Sequence, residues 1–545
     1  MASEKLTTRG AIIAELTVGA GILVLAVYLT KAAGMRGFYP FDQSIVFDGS
    51  YRVATGQVPY RDFLAPFGPV TFWIHGLFFR LFGSTWRVYV AGACVINATA
   101  AAVSMLCVSA LFPRLRLLPL VGGLVTAVWF YPPFGTPWVD QTAFFFALLA
   151  VWMGVKGLMR KPGSHRRSWA VGASGGFVVL AFLSKQNVGS FIAPLFPLLL
   201  AVAAGRDGRR FVKDLGLFAL GAGMAAGGFA LWLALDSDPG SFLRYVFTIP
   251  AELGRERLSA FVQTWFGISR PFFGGRGPAL MIIAAWGSFA AGAVVFIGAA
   301  MKSGSKSLPG AHRLAALLCL YLAAFQHLFI NTTLNQPENG LAFTGVAMAL
   351  GIGLIFSRTP VWRGKSKPLV AALLAVFLFF TCRSGYQVAT AREVHEILRG
   401  SAFGEALEIE GLEGLRWASP MRIRGSAVLP EHMVALFEYL DKRGENFFVF
   451  PDFTILYGLL EVPSPQPLLW FHEGVTYSRE NNGDLDKRIV AALKKNKVRI
   501  YVREQASWFN TGGRLDDFPE LKAFLRGEFR KIGEIGIFSV YEKQM

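Results

Sequence analysis

The sequence predicts an α-helical polytopic membrane protein of about eleven transmembrane helices, with a small α/β soluble domain at its C-terminal end. Three observations support this fold class: long apolar runs up to residue 384, Lys and Arg concentrated in alternate loops, and alternating strand and helix patterns after residue 385. Only 17% of the residues are charged, whereas a soluble domain has about 25%. We therefore expect a membrane domain at 1–384 and an extracytoplasmic domain at 385–545.

The first apolar run, residues 11–30, follows the basic residues Lys5 and Arg9. It is longer than the apolar core of a signal peptide and has no clear small-residue cleavage site after it, so a retained first span is expected. Ten further runs have spanning length. They cover approximately 86–112, 118–133, 140–159, 169–187, 189–204, 215–235, 277–300, 313–332, 340–357 and 368–384.

The basic residues of every second loop lie on the same side as Lys5 and Arg9, and the positive-inside rule makes that side cytoplasmic. By loop they are Arg114 and Arg116; Arg160, Lys161, Arg166 and Arg167; Arg206, Arg209, Arg210 and Lys213; Lys302, Lys306 and Arg313; Arg358, Arg363, Lys365 and Lys367. This distribution accounts for the net charge of +18, so we expect no nucleic-acid partner. An odd number of spans places the C-terminus outside the plasma (inner) membrane.

Two of the outside loops are long: the first, at about 31–85, and the fourth, at about 236–276. Long loops on one face of a bundle indicate a functional site at that face.

The C-terminal part alternates between helical and strand patterns. Helices are predicted in EHMVALFEYLDKRG, FTILYGLLE, DLDKRIVAALKKNK and FPELKAFLRGEF, and strands in ENFFVFP, VRIYVRE and GEIGIFSVYEK. The segment contains neither GxGxxG nor a P-loop, so no nucleotide is expected as a cofactor.

Ionisable residues from several segments are predicted to meet at the outer face, where charged groups near the membrane indicate function. They are Asp42, Asp48, Arg61 and Asp62 in the first loop, Asp140 at the start of the fourth span, Lys185 at the end of the fifth, His327 in the ninth, Glu338 with Asn335 and Gln336 in the loop after it, and Arg383 at the end of the last. Carboxylates act as bases or metal ligands, and Lys or Arg binds phosphate.

Each of these residues also has a purely structural alternative. Asp140 fits a helix N-cap, and Lys185 fits a side chain that extends to the lipid headgroups. Arg61 and Asp62 fit a pair that bonds only to itself, and His327 fits an interior histidine. The shared side of the membrane is what favours a site.

Four segments carry a resemblance to a known superfamily. They are FDQSIVFDGSYRVATGQVPYRDFLAPFGPVTFWIHGLFFRLFG, which includes an A-x-G-x-x-P-Y-R-D-F stretch and an amphipathic helix ending in Phe-Gly, then VDQTAFFFALLAVWMG, GGFVVLAFLSKQNVG and FPDFTILYGLLEVPSP. In this order and on this face they resemble the GT-C superfamily, which includes protein O-mannosyltransferases, aminoarabinose transferases and related bacterial polyprenyl-phosphate-sugar transferases.

The resemblance implies an inverting glycosyltransferase that takes a sugar from a polyprenyl phosphate to a glycan, lipid or protein acceptor at the outer face. The first-loop base maps onto Asp42, with Asp48 and Asp62 as alternatives, and the second-loop acid onto Asp140. The first-loop Lys of the aminoarabinose transferases is absent here, so Arg61 or Lys185 would bind the phosphate, with Arg383 as a further cation. Tyr60, His327 and Glu338 complete the predicted substrate contacts.

Some members of the superfamily use a divalent metal ion, and the sequence leaves this open. Three other functions also remain open: a transporter or flippase of lipid-linked glycans, a ligase or polymerase acting on such glycans, and a non-catalytic scaffold. Paired short spans broken by Gly or Pro, which are typical of inverted repeats, are not evident in the sequence.

Overall fold

The structure, a computed structural model, describes residues 2–38, 40–251, 310–332, 341–358 and 367–544, with gaps at 394, 396–397, 399, 420–421, 424–425, 428, 480–481 and 506–510, and also the single positions 287, 290 and 294. The predicted span at 277–300, most of the fourth outer loop and Glu338 lie outside the described residues.

The part of the chain before the C-terminal domain consists of helices, most of which follow the apolar runs. They are α1 (Ala2–Gly34), α2 (Pro40–Ala54), α3 (Val70–Phe82), α4 (Trp86–Leu111), α5 (Leu117–Trp129), α6 (Val139–Leu158), α7 (His165–Ser184), α8 (Gln186–Ile192), α9 (Leu195–Ala204), α10 (Gly208–Asp236), α11 (Pro239–Leu243), α12 (Gly310–Thr332), α13 (Thr344–Arg358) and α14 (Lys367–Thr390). Helices α2, α3 and α11 lie instead in the predicted outer loops. Within the described part of the chain, six helices are long and apolar enough to cross a membrane, in α1, α4, α6, α7, α8 with α9, and α10. The chain is a multi-pass membrane protein.

Helices α7 and α10 cross closely because glycine removes the side chain at the contact. A Cβ atom on Gly221 would overlap the carbonyl oxygen of Gly172, and one on Gly175 would overlap that of Phe218. Small residues of this kind are typical of helix contacts in lipid, where close backbone approach replaces the hydrophobic effect.

The segment 31–85, predicted to be the first loop on the outer side and called the first outer loop below, contains two helices, α2 and α3. Helix α3 buries Phe72 and Phe79 and exposes Leu77, Leu81 and Phe82. It ends at Gly83, whose φ of 89° a residue with a side chain would rarely adopt. The predicted amphipathic helix ending in Phe-Gly is confirmed.

The C-terminal domain is a mixed α/β unit. Its elements are β1 (Ala402–Ala406), β2 (Arg416–Ser419), β3 (Arg422–Ile423), β4 (Ser426–Ala427), α15 (Pro430–Arg443), β5 (Phe447–Phe450), α16 (Ile455–Leu459), α17 (Gly483–Lys495), β6 (Ile500–Glu504), α18 (Pro519–Glu528), β7 (Phe529–Ile535) and β8 (Phe538–Lys543). The main sheet has the order β5-β6-β8-β7, with β5 and β6 parallel and the other pairs antiparallel.

One strand prediction is wrong in this domain. The segment GEIGIFSVYEK, predicted as one strand, contains a turn at Gly536, where φ is 57°. The turn divides the segment between β7 and β8, which form a hairpin. The alternation of apolar residues continues across the turn, so only the glycine signals it.

The C-terminal domain and the first outer loop share one hydrophobic core. Phe38 and Phe47 belong to the same buried cluster as Trp417 and Phe453. The backbone N–H of Leu64 also donates to the Pro467 carbonyl at 2.8 Å. The domain therefore packs on the first loop, and we call this end of the helix bundle the domain face.

Candidate functional site

Asp140 and Lys185 form an ion pair at the domain face. Asp140 lies in the first turn of α6, and Lys185 is the residue at which α7 ends. Lys185 Nζ lies 2.6 Å from Asp140 Oδ1 and 2.7 Å from Oδ2. The carboxylate is buried, while the lysine side chain is 23% exposed. Because Trp138 is the N-cap residue and Asp140 bonds to Lys185, the helix-cap alternative for Asp140 is wrong.

A segment of the first outer loop, residues 65–69, packs beside this pair. The side chain of Gln186 donates to the Pro66 carbonyl at 2.9 Å and to the Val246 carbonyl at 3.1 Å. Gly68 lies against the backbone of Leu183, where a Cβ atom would overlap the carbonyl oxygen. The segment is therefore held against the end of α7 by backbone contacts that leave no room for a side chain.

Asp42 lies in the first turn of α2 and is half-buried. The Tyr89 hydroxyl lies 3.2 Å from the carbonyl oxygen of Gln43, the next residue, and 3.0 Å from that of Pro137. Tyr89 and Asp42 are close enough to interact electrostatically. Since Pro137 precedes Asp140 by three residues, Tyr89 connects the segment that carries Asp42 with the segment that carries Asp140.

Asp48, one alternative to Asp42, is fully buried in an ion pair with Arg52. Arg52 Nε and Nη2 donate to Asp48 Oδ2 at 3.0 and 2.9 Å. The remaining donors of Arg52 reach the Gln466 carbonyl at 2.6 Å and the Ser464 hydroxyl of the C-terminal domain. Burial raises the pKa of Asp48 against the opposing charge of Arg52. Because Asp48 has no exposed surface and is paired with Arg52, its role is to help hold the C-terminal domain on the first outer loop.

Asp62, the other alternative, pairs with its neighbour Arg61. Arg61 donates to Asp62 Oδ1 at 3.1 Å and Oδ2 at 2.8 Å, and the Val58 N–H donates to Oδ2 at 2.7 Å. Burial raises the pKa of Asp62, but these hydrogen bonds and the charges of Arg61 and Arg488 together leave it below the usual value. A lowered pKa makes a carboxylate a weaker base.

Arg61 has further contacts away from Asp140 and Lys185. Its Nη1 donates to the Asp236 carbonyl at 3.1 Å, and its own carbonyl accepts from Arg488 at 2.7 Å. Tyr60 is fully buried in a left-handed backbone conformation, with φ of 68°, and its hydroxyl donates to the Phe67 carbonyl. The buried Tyr60 therefore stabilises the conformation of the first outer loop.

For three predicted site residues the described structure gives no contact with Asp42 or Lys185. Arg383 is exposed on α14, a helix that packs mainly against α1 and α5. His327 belongs to α12, but its side chain lies outside the described residues, as does Glu338. Their roles stay predictions.

A metal centre would need several carboxylate, imidazole or thiolate ligands close together. Among the side chains that the structure describes, no group of three or more His, Cys, Asp or Glu is placed to hold a metal ion. Asp140 and Asp48, two buried carboxylates at the domain face, are already neutralised by Lys185 and Arg52. The described residues of the site therefore do not fit a metal centre.

Two residues of the site were not predicted from the sequence. Tyr89 and Gln186 make their contacts with residues 46 and 120 positions away. No local pattern marks such contacts. The only available signal was the position of Gln186 directly after Lys185.

Neither a protein-family model nor a curated protein sequence matches this chain. Among solved structures, the chain is similar to the archaeal oligosaccharyltransferase AglB from Archaeoglobus fulgidus, in complex with an inhibitory peptide and a dolichol-phosphate. The TM-score is 0.52 at 11% identity, over 97% of this chain and 74% of that chain. The apo form of the A. fulgidus oligosaccharyltransferase gives a TM-score of 0.50 at 12% identity, with the same shares.

ArnT from Cupriavidus metallidurans, bound to undecaprenyl phosphate, matches with a TM-score of 0.44 at 12% identity over 98% of both chains. The similarity to AglB extends through the membrane helices into the C-terminal domain, since it covers nearly all of this chain. The chain therefore has the fold of the A. fulgidus oligosaccharyltransferase.

Proposed function

We propose that this chain is an inverting glycosyltransferase that moves a sugar from a polyprenyl-phosphate donor to an acceptor at the outer face of the plasma membrane. The observation that carries the proposal is the placement of Asp42 and the Asp140–Lys185 pair at the domain face of a GT-C fold. The AglB complex contains a dolichol-phosphate, a lipid of the same chemical class as the proposed donor.

Asp42 is the proposed base. Asp48 is fully buried against Arg52, and Asp62 pairs with Arg61. Asp42 retains partial exposure at the start of α2, and it is the residue onto which the resemblance maps the first-loop base. The partial positive charge at the N-terminus of a helix stabilises the ionised form of a carboxylate there. Asp42 would take the proton from the acceptor hydroxyl or amine as that atom attacks the sugar.

The transfer step is a displacement at the anomeric carbon. The acceptor oxygen or nitrogen forms a bond to this carbon as the bond to the phosphate oxygen breaks, and the phosphate leaves with the electron pair. Attack from the side opposite the phosphate inverts the anomeric centre. The negative charge of the leaving phosphate grows in this step and needs a nearby cation.

Lys185 is the proposed cation for the leaving phosphate. Its ammonium group has three N–H donors, and the side chain retains some exposure while bonded to Asp140. Asp140 would hold Lys185 in place between turnovers. The polyprenyl tail would lie between membrane helices, and the segment 65–69 would border the phosphate.

The experiment is transfer of labelled sugar from a polyprenyl-phosphate donor pool by purified full-length protein. The wild type is compared with Asp42→Asn, and Asp441→Asn on the exposed face of α15 serves as a control for the same chemical change. We expect Asp42→Asn to reduce release of polyprenyl phosphate by about 10²- to 10⁴-fold, the usual contribution of a general base. Asp441→Asn is expected to retain wild-type turnover.

The other outcomes distinguish the alternatives. Equal activity of the wild type and Asp42→Asn would move the base to Asp62 or Asp140. A wild type that binds the donor lipid but transfers no sugar to any acceptor would favour a transporter, a flippase or a scaffold. Transfer only when a polyprenyl-diphosphate glycan replaces this donor, with release of polyprenyl diphosphate, would favour a ligase or polymerase.

A further inference from the structure

Two arginines meet where the first membrane helix joins the C-terminal domain. Arg36 follows the end of α1, and Arg416 is the first residue of β2. The Gly37 N–H donates to the Arg416 carbonyl at 2.8 Å, and the Arg416 N–H donates to the Met35 carbonyl at 2.9 Å. Arg36 and Arg416 are paired partners in this parallel bridge, so their side chains extend to the same face.

This pair of like charges has no acidic partner in the part of the chain that the structure describes, since no carboxylate lies within 4.0 Å of either guanidinium. Arg36 Nη1 donates to the Ala32 carbonyl at 2.7 Å, and Arg416 Nη1 to the Gly404 carbonyl at 3.4 Å. Each guanidinium has five N–H donors, so most of them remain available to an anion.

Two buried arginines of the chain are neutralised within the protein. Arg52 bonds to Asp48, and Arg167 bonds to Asp214. For Arg36, by contrast, burial and then the positive charge of Arg416 lower the pKa. The half-buried Arg36 and the exposed Arg416 repel each other, which makes their meeting point a favourable place for an anion.

The surroundings indicate that this anion belongs to a lipid. Tyr28 on α1 and Tyr386 on α14 are 57% and 60% exposed, and both phenols are close enough to Arg36 to affect its pKa. Helices α1 and α14 pack against each other. Exposed tyrosines on membrane helices mark the level of the lipid headgroups, which places Arg36 and Arg416 at the height of the phosphates.

We propose that Arg36 and Arg416 together bind the phosphate group of an anionic phospholipid at the domain face, with Tyr28 and Tyr386 against its glycerol and upper acyl chains. The bound headgroup would fasten β2 of the C-terminal domain to the outer end of α1. Arg383, exposed one turn before Tyr386 on α14, adds positive charge on the same side. This role does not depend on glycosyl transfer.

The test uses purified full-length protein in nanodiscs of phosphatidylcholine, with or without a fraction of phosphatidylglycerol. Retained lipid is measured by native mass spectrometry, and stability by thermal unfolding. We expect the wild type to retain phosphatidylglycerol preferentially and to unfold at a higher temperature when it is present. Arg36→Gln/Arg416→Gln should weaken that preference about tenfold, because it removes the charge-assisted hydrogen bonds.

Arg80→Gln is the matched control, since Arg80 is an exposed arginine of α3, and it should keep the wild-type preference. Arg416→Lys retains the charge but loses the planar pair of donors, so an intermediate preference is expected even if the double variant does not fold. Inorganic phosphate added to pure phosphatidylcholine nanodiscs tests the free ion. The proposal is overturned if the wild type shows no preference, if the double variant keeps it, or if inorganic phosphate alone reproduces the stabilisation.

Discussion

Lys185 Nζ lies within 2.7 Å of both carboxylate oxygens of Asp140, at the point where α7 ends and α6 begins. One ammonium group thus neutralises a carboxylate that is otherwise buried in the membrane domain. In the proposed reaction the donor phosphate has to share this ammonium with Asp140. The pair is therefore both a structural contact and the candidate phosphate site, and mutations can separate the two roles.

Lys185→Met is expected to destabilise the protein by about 3–5 kcal/mol, because removing one partner leaves the other as an uncompensated buried charge. Asp140→Asn should have a smaller effect, since Lys185 retains partial exposure to solvent. Thermal unfolding in detergent or nanodiscs measures both. An unchanged unfolding temperature for Lys185→Met would contradict the buried pair.

The double variant Asp140→Asn/Lys185→Met should recover most of the lost stability, since it removes both charges together. Its transfer activity should stay about 10²-fold or more below wild type, the effect of losing a group that stabilises transition-state charge. Recovery of activity together with stability would exclude Lys185 as the phosphate ligand.

The Asp48–Arg52 pair should matter for stability and not for the chemical step. Arg52→Met leaves Asp48 buried without a partner and removes the donors to Gln466 and Ser464. A loss of about 3–5 kcal/mol is expected, with faster proteolysis of the C-terminal domain. The comparison is Arg61→Gln, whose pair with Asp62 is 51% and 33% exposed and so should contribute less than about 1 kcal/mol.

The C-terminal domain should lose stability as the pH rises. Asp452 lies just after strand β5, and Glu504 is the last residue of the parallel strand β6. Glu504 Oε1 accepts hydrogen bonds from the backbone N–H groups of Asp452 and Phe453 at 2.6 and 2.8 Å. Burial raises the pKa of Asp452 to about 7, against the charge of Arg514. Burial, then the neighbouring Asp452, also raises the pKa of Glu504.

A folded-state pKa above the unfolded value means that the folded protein binds more protons, so stability is retained below about pH 4 and falls as the pH rises through about 7. Asp452→Asn should therefore reduce the fall in unfolding temperature between pH 5.5 and pH 8.5, and its advantage over wild type should grow with pH. Parallel curves for the two proteins would show that Asp452 does not titrate in this range.

Six of the eleven predicted spans are confirmed, within the described residues, by helices that are long and apolar enough to cross a membrane. They were predictable because lipid requires long apolar segments, whose ends are visible in the composition. The full count of eleven stays a prediction. The sequence also predicts that Asp140 and Lys185 lie on one face, since both occupy the ends of spans. Their pairing and the link through Tyr89 depend on how helices pack, which no local pattern encodes. The spacing of Asp48 and Arg52, four residues apart on α2, was a signal of a helical ion pair that the sequence prediction did not use.

The packing of the first outer loop against the C-terminal domain likewise could not be predicted from the sequence. Alternating strands and helices indicate a small domain, and the aromatic residues of the first loop indicate an interface. Neither pattern says that Phe38 and Trp417 belong to one core. Such contacts join residues hundreds of positions apart, and only the folded chain reveals them.

Gly68 should be sensitive to the addition of a single methyl group. A Cβ atom at Gly68 would overlap the Leu183 carbonyl, two residues before Lys185, and because the obstacle is backbone, the segment 65–69 itself has to move. Gly68→Ala should displace this segment from the end of α7, break the Gln186 contact with Pro66, and reduce transfer by about 10-fold or more, since small displacements at a reacting centre have large effects on rate.

The control is Gly216→Ala on α10, where nothing lies within 4 Å of the added atom and both stability and activity should match wild type. Wild-type transfer by Gly68→Ala, with normal folding, would show that the segment does not border the reacting phosphate.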